Sequence, residues 1–441
     1  MQQIAHDTLK KIKSRGLDLA EIYLINSRTT KIDVLNQKIE TSDAINETGM
    51  AIRVIKDRRL GFSFTSDLEP SQIDNCIEQA IAAAAFTADD PYNQLPLPSL
   101  LEKQGLDIYD PAIDQTPIQQ KIDLALRVER AAYQTDKRIK KTEKVSYSDS
   151  ESEIWIVNSL GTDVNYRSNY CGAHADVIAE DGLEMESGFG FDYKLHITDL
   201  DPNKIGREAA ERATQLLGAK PIASQQLPIV LDPLVGSQVL EVLAQSLSSE
   251  AAQKGRSLFK DKTEQAVASK LISIIDNGRL TNGLSSAPFD AEGVPTRETN
   301  LIYQGTLRSF LFNTYTAARE KAGSTGNAVR ASHKALPAVG HTNLYFSAGR
   351  DEILSRIKKG LYITRVMGLH TANPISGDFS FGAAGLLIEN GEKTAPIRSI
   401  TIAGNLIDML KNIEAVGPDL RFFFGVGSPT LLIANLSISG T

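Results

Sequence analysis

Apolar and polar positions in this chain follow two periods. Residues 232–255, DPLVGSQVLEVLAQSLSSEAAQKG, carry Val235, Val239, Leu243, Leu247 and Ala251 at four-residue intervals, with Leu240 beside them. This spacing draws one apolar face of a single helix, and Gln238, Glu241, Gln245 and Ser248 form a polar stripe next to it. Asp232 suits the N-cap and Pro233 the first helical position, where a missing N–H costs nothing; Gly255 supplies the stop. Similar patterns predict helices over about 69–86, 117–137 and 203–217, another near 350–360, and a short N-terminal helix packing Ile4, Leu9 and Ile12. Strand-like stretches fall at 20–26, 31–40, 144–148, 153–158, 163–178 and 183–195. A hairpin is predicted within 49–65, with Lys56 and Asp57 at its turn.

Residues 91–111 read as a loop rich in Pro, Asp and Leu, and 218–228 (GAKPIASQQLP) as a linker. After the 232–255 helix, the remainder is mostly short strands and Gly-rich turns, and no period of 20–50 residues repeats. The expected fold class is α+β. An N-terminal α/β domain over 1–218 precedes a C-terminal, mainly β, barrel-like domain over 219–441.

Composition narrows the function classes. The 441 residues carry a formal charge of −7 with no Lys/Arg block, which argues against nucleic acid as a partner. No apolar run is long enough to cross a bilayer, and the first residues lack the apolar core of a signal peptide, so no membrane partner is expected. The two cysteines, Cys76 and Cys171, make neither a metal knuckle nor a disulfide framework, and a reducing cytoplasm is the simplest setting.

Several catalytic motifs are absent, including the Gly-x-Ser-x-Gly elbow and the phosphate-binding Gly-Lys loop. SGFGFD at 187–192 lacks the third glycine of a dinucleotide loop, so bending of a strand explains its glycines better. None of the six histidines lies within five residues of another, so a metal site would need ligands from distant segments. The strongest local signal is SGDFSFGAAG at 376–385. It suits either a tight turn where backbone approaches a ligand or partner, or a bulged loop with Phe379 or Phe381 in the core.

Five longer segments carry a family resemblance. They are GMAIRVIKDRRLGFSFTSDL (49–68), FDAEGVPTRETNLIYQGTLRSFLFNTYTAARE (289–320) followed by GSTGNA (323–328), SGDFSFGAAGLLIENGE (376–392), ITIAGNLIDMLKNIEAVGPDL (400–420) and GSPTLLIANLSISG (427–440). Together they resemble the TldD/TldE (PmbA) family of modulators of DNA gyrase, in its TldE branch. The resemblance implies an N-terminal α/β domain plus a barrel-like domain, and a role in proteolysis of unfolded peptides and maturation of peptide precursors. It also implies a TldD-like partner whose His-Glu-x-x-x-His helix and C-terminal cysteine hold zinc.

Aligned on Lys254 and Gly255, the His-Glu-x-x-x-His positions fall on Leu240 to Gln245. Leucine stands at the first histidine, Gln245 at the second, and the glutamate survives as Glu241; no cysteine follows Cys171. The expectation is a degenerate site at Leu240, Glu241 and Gln245, with no metal and no cofactor in this chain and zinc in the partner. Residues five apart lie about 140° apart around a regular helix, so a working histidine pair needs a distortion that Leu240 and Gln245 do not require. A regular helix is therefore expected, with Leu240 buried and Glu241 and Gln245 stacked on one face; Glu241 also reads as a solvated helix-face carboxylate. Candidates for peptide or interface contact are Asn313, Arg319, Ser376, Gly377, Asp378, Phe379, Ser380 and Phe381. Three functions stay open: a non-catalytic subunit in a heterodimer, a metallopeptidase in its own right using other ligands, and a homodimeric peptide-binding protein.

Overall fold

In the computed structural model, which describes residues 1–99 and 105–440, the fold is α+β. Residues 100–104, within the predicted 91–111 loop, lie outside the described residues. The N-terminal half builds one six-stranded antiparallel sheet from β1 (Leu19–Leu35), β2 (Lys38–Lys56), β3 (Arg59–Thr65), β4 (Ile139–Asn158), β5 (Asp163–Asp181) and β6 (Glu184–Lys194), in the order β3-β2-β1-β4-β5-β6. One face carries the helices α1 (Gln2–Ser14), α2 (Pro70–Phe86), the short α3 (Pro111–Gln115), α4 (Ile118–Thr135) and α5 (Pro202–Thr214). The other face is turned toward the C-terminal half, where Tyr23, Ala51 and Ile156 pack on Phe289.

These strands are longer than the apolar runs that announce them. Expected strands at 20–26 and 31–40 are one strand and the start of its partner, with the turn at Asn36 and Gln37. Those two residues have φ of 54° and 57°, the left-handed pair that a two-residue hairpin turn requires. In the next hairpin the turn residues are Asp57 and Arg58 rather than Lys56 and Asp57, again with positive φ. The stretches 144–148 and 153–158 are likewise one strand, because Ser148, Ser150 and Ser152 continue the pairing with β1 through a polar middle.

Gly188 and Gly190 are needed for close packing. A Cβ at Gly188 would lie 2.3 Å from the Ala213 nitrogen, and one at Gly190 would lie 2.3 Å from the Ile205 carbonyl oxygen. The SGFGFD glycines thus let α5 sit directly on β6, and no dinucleotide loop is present there.

The C-terminal half has a closed five-stranded barrel of β7 (Gln225–Leu231), β14 (Lys359–Met367), β15 (Asp378–Glu389), β16 (Glu392–Asn405) and β20 (Leu431–Ser439), with β16 pairing back onto β20. β17 (Ile413–Val416) adds to β20. A second sheet holds β8 (Ile274–Asn277), β9 (Glu298–Tyr303), β10 (Thr306–Leu307), β13 (Leu344–Phe346), β18 (Arg421–Phe423) and β19 (Val426–Ser428). β11 (Ala328–Val329) and β12 (Ala338–Val339) pair separately. The expected helix near 350–360 is instead a single 3-10 turn at Leu354–Arg356 running into β14, and the expected linker ends in β7. Pairing on the barrel outweighs local helix propensity there.

Residues 232–255 do not form one helix. α6 (Pro233–Ala244) runs into a 3-10 turn at Gln245–Leu247, and α7 (Ser249–Gln253) follows; α8 (Thr314–Glu320) and α9 (Leu406–Lys411) complete the set. The break is at Ser248, whose extended backbone bridges to Leu311. Capping is as the sequence predicts: Asp232 accepts from the Leu234 N–H, and Gly255 ends the last turn with φ of 71°.

On the sheet's helix-covered side the Glu129 carboxylate is fully buried. It accepts hydrogen bonds from the Asn36 N–H (2.8 Å), the Gln37 N–H (2.6 Å), Gln37 Nε2 (2.8 Å) and Thr142 Oγ1 (2.7 Å). It thus ties α4 to the left-handed turn between β1 and β2. Glu129→Gln replaces one acceptor oxygen with a donor facing donors. We expect a loss of about 1–3 kcal/mol, read as a lower urea midpoint at unchanged slope.

Candidate functional site

α6 presents its two faces as its sequence dictates. Leu240 is fully buried with Val235, Val239, Leu243 and Leu247, while the Glu241 side chain is 58% exposed. Glu241 meets His341, whose Nε2 lies 3.4 Å from Oε1 and 3.3 Å from Oε2. His341 Nδ1 faces the Thr342 carbonyl at 3.1 Å. Both ring nitrogens therefore face acceptors, the pattern that an imidazolium satisfies. Burial pulls the His341 pKa down, but the Glu241 hydrogen bond and charge, the Thr342 carbonyl and the charge of Asp276 outweigh it, leaving it above its usual value. The hydrogen bond to His341 outweighs desolvation at Glu241 and holds that carboxyl below its usual value.

Asp276 fixes the loop that carries His341. It accepts from the Thr342 N–H (2.6 Å), Thr342 Oγ1 (3.0 Å) and Asn327 Nδ2 (2.7 Å). Burial raises its pKa against the pull of those three bonds.

His341 also lines a cleft of about 250 Å³ between the open face of the N-terminal sheet and the C-terminal half, with Tyr23, Tyr166, Asp290 and Arg330 among its walls. Beneath it lies a buried ionic cluster. Arg53 donates to Glu21 Oε2 (2.6 Å) and to Glu292 Oε1 (2.8 Å), and Arg330 donates to Glu21 Oε1 (2.8 Å). The Arg330 guanidinium lies over the Tyr23 ring at 4.9 Å, and burial pushes the Tyr23 phenol up to about 12. Burial and the neighbouring Glu292 push Asp290 up, against backbone N–H bonds from Ala328, Glu292 and Val294.

The predicted contact residues sit elsewhere. Asn313 is buried as the N-cap of α8, in a reciprocal capping box with Thr316, and it lines a cleft together with Arg53, Glu250 and Tyr315. Arg319 is exposed and lies over Tyr92 (5.9 Å) and Tyr315 (6.0 Å). Ser376 donates to Asp378 (2.8 Å), and Asn405 closes the same turn through the Ser376 carbonyl (2.8 Å) and Asp378 (3.0 Å), with Gly377 at φ of 84°. Phe379 and Phe381 point into the barrel core and stack at 4.7 Å, and Ser380 between them faces outward. This turn lies beside the end of α6, where Ser246 Oγ donates to the Pro374 carbonyl at 3.3 Å. Gln245 is exposed at the start of the 3-10 turn.

The architecture matches known proteins along its length. Three models of the PmbA/TldA metallopeptidase match in order: domain 1 over residues 20–84, the central domain over 111–217, and the C-terminal domain over 224–440. The chain belongs to the PmbA/TldD metallopeptidase family. Among similar PmbA/TldD proteins, metalloprotease PmbA of Escherichia coli O157:H7 is 29% identical over 99% of this chain and 95% of its own. A Haemophilus influenzae metalloprotease TldD homolog is 25% identical over 97% of this chain and 94% of its own. The crystal structure of a proposed modulator of a DNA gyrase from Thermotoga maritima superposes with a TM-score of 0.91 at 29% identity, covering 99% of both chains. TldE of Thermococcus kodakarensis shares the fold, with a TM-score of 0.91 at 24% identity over 99% of this chain and 100% of its own.

The family name implies a metal, and the residues on α6 do not suit one. Leu240 offers no donor atom and is sealed in the core, which leaves Glu241 and His341 as the donors that meet there. Among the described residues, no group of three or more His, Cys, Asp or Glu side chains is placed to hold an ion. A catalytic zinc takes about three protein ligands.

Sequence reasoning missed His341 and the ionic cluster. His341 is a hundred positions from Glu241, and no local spacing could join them. Arg53 did leave a signal, as a lone charge inside the apolar run MAIRVI.

Two outcomes follow for this region. Arg53→Ala strands Glu292 without its cation and leaves Glu21 with Arg330 alone, and a loss of about 3–5 kcal/mol is expected in denaturant titration. For the surface pair, the raised His341 contributes stability fully below its unfolded value near 6.5, and this fades as pH rises through the folded value. The lowered Glu241 contributes above its unfolded value near 4.5, fading as pH falls through its folded value. Glu241→Gln should therefore cost up to about 1 kcal/mol near pH 5.5 and nothing near pH 9, because Glu241 is well solvated. Paired urea titrations at the two pH values read this.

Proposed function

We propose that this chain is the TldE/PmbA-like, non-catalytic subunit of a cytoplasmic zinc metallopeptidase that acts on unfolded peptides and peptide precursors, with the zinc held by a separate TldD-like chain. The observation that carries this reading is the state of α6: Leu240 is in the core, and Glu241 is engaged by His341. A lone carboxylate held below its usual pKa by an imidazolium is a poor general base at neutral pH. The intact helix cap and apolar face supply architecture without the ligand set.

A second observation supports a role in substrate handling. The sheet face turned toward the C-terminal half carries hydroxyls and rings beyond the cleft, with half-buried Tyr166, Ser168 and Tyr170 on that face of β5, Tyr166 edge-on to Phe289 and Tyr170 edge-on to Phe424. Such a surface can take up backbone amides of an extended chain without reading its sequence.

Co-expression with a family member from the same genome that keeps His-Glu-x-x-x-His tests the proposal. The expected result is a mixed dimer that cleaves an unstructured peptide such as casein, with zinc following the partner and neither chain active alone. Stoichiometric zinc together with peptide cleavage by this chain alone would overturn it.

A further inference from the structure

The outer edge of β2 is open over residues 39–48. β2 pairs with β1 along its whole length, but β3 covers only Met50 to Lys56 on the other side. Residues 38–47 are all exposed, and among the described residues no strand pairs with this edge. Ile39 and Ile45 keep 50% and 59% of their surface in water. The sheet's other edges are engaged in part by groups outside the sheet. The carbonyls of Arg58 in the turn and Leu60 in β3 accept from the Asp90 N–H, Asn93 Nδ2 and Thr87 Oγ1. On β6, Glu186 is held by Arg398 from the barrel at 3.0 Å.

A long unpaired edge with exposed isoleucines is ordinarily shortened, bulged or covered; here one bulge at Glu40 interrupts it, and residues 41–48 continue the ladder with β1 uncovered. Only another extended backbone matches its alternating donors and acceptors. The charges on the edge select which strand. Glu40, Asp43 and Glu47 outnumber Lys38. In an antiparallel self-pairing that overlaps 39–48 fully, Glu40 falls opposite Glu47 twice; one of the two neighbouring registers places Asp43 opposite itself. Like charges directly opposite are destabilising, so a second copy is disfavoured.

We propose that residues 39–48 are a docking edge for an extended strand of a non-identical chain that is neutral to basic along that strand, namely the TldD-like subunit. The inference rests on the heterodimer reading above and adds to it the surface and its charge. Strand addition extends the six-stranded sheet across the two chains, and Ile39 and Ile45 lose their exposed surface to the partner.

Hydrogen–deuterium exchange on the co-expressed pair is the test. Amides of 39–48 should exchange at least about ten-fold more slowly in the mixed dimer than in this chain alone. Ala44→Pro, on an exposed part of the arm, should weaken association at least about ten-fold while leaving the chain's own unfolding midpoint within a degree or two. The triple change Glu40→Lys, Asp43→Lys, Glu47→Lys should also weaken it, most at low salt. A mixed dimer that forms while these amides stay unprotected overturns this inference and leaves the heterodimer standing. Failure of any mixed dimer to form overturns both.

Discussion

Two carboxylates and two guanidiniums taken out of water together are the constraint on which the rest of this molecule depends. Glu21 and Arg53 come from neighbouring strands of the N-terminal sheet, and Glu292 and Arg330 from separate loops of the C-terminal half. Desolvating each ion costs several kcal/mol, repaid only where geometry and further hydrogen bonds are good. Here Glu292 and Arg330 also organise backbone, while Arg53 Nε is left without a hydrogen-bond partner. Glu292 accepts from the Thr314 N–H at the start of α8, and Arg330 donates to the Ala291 and Ala335 carbonyls. The cluster therefore sets how the open sheet face meets the C-terminal half, and with it the walls of the cleft beside His341. A shift between the halves would leave buried charges unpaired, a far larger penalty than the apolar contacts of Tyr23 and Phe289 could offset.

The α6 region shows a second constraint, imposed by hydrogen bonding. Its apolar face runs past Ala244 to Leu247 and Ala251, yet the helix does not. Ser257 Oγ donates to the Ser246 carbonyl, the Ser249 N–H donates to the Leu311 carbonyl, and Ser249 Oγ donates to Thr316 Oγ1. Ser246 and Ser249 thus trade the intrahelical ladder for contacts with Ser257, Leu311 and α8. At its other end Asp232 serves two purposes, capping the helix and accepting the Tyr362 phenol at 2.9 Å, which fastens α6 to the barrel.

What could be read from the chain alone follows from which forces are local. Caps, helix faces and the strand-rich second half were legible because Asp232, Pro233 and the four-residue spacing act over a few positions. The true lengths of β1 and β4 were not, since their serine and threonine middles owe their strand state to partners rather than to propensity. The stretch 350–360 misled for the same reason, with β14 taking its conformation from β7 and β15. Phe379 and Phe381 were legible as possible core residues, and the structure places both in the barrel. Asn313 was not legible as a cap, because its reciprocal bond with Thr316 is hidden in a segment that the family resemblance had already claimed for contact.

Position and chemistry part company at Glu241. The family resemblance sets it at the place of a catalytic carboxylate, and the fold places it against His341, which lines the cleft at the junction of the two halves. Its electrostatics then run the opposite way. A base useful near neutrality needs a pKa raised toward 7, by desolvation or a neighbouring anion, whereas His341 lowers that of Glu241 and is itself raised in return. Each group stabilises the ionised form of the other, so together they behave as a cross-link between α6 and the Gly340–Thr342 loop. With Leu240 on the core side of the same turn, a metal would have to displace that cross-link and still find further ligands. The arrangement is self-consistent as a support for the cleft, which is what the proposed non-catalytic role asks of it.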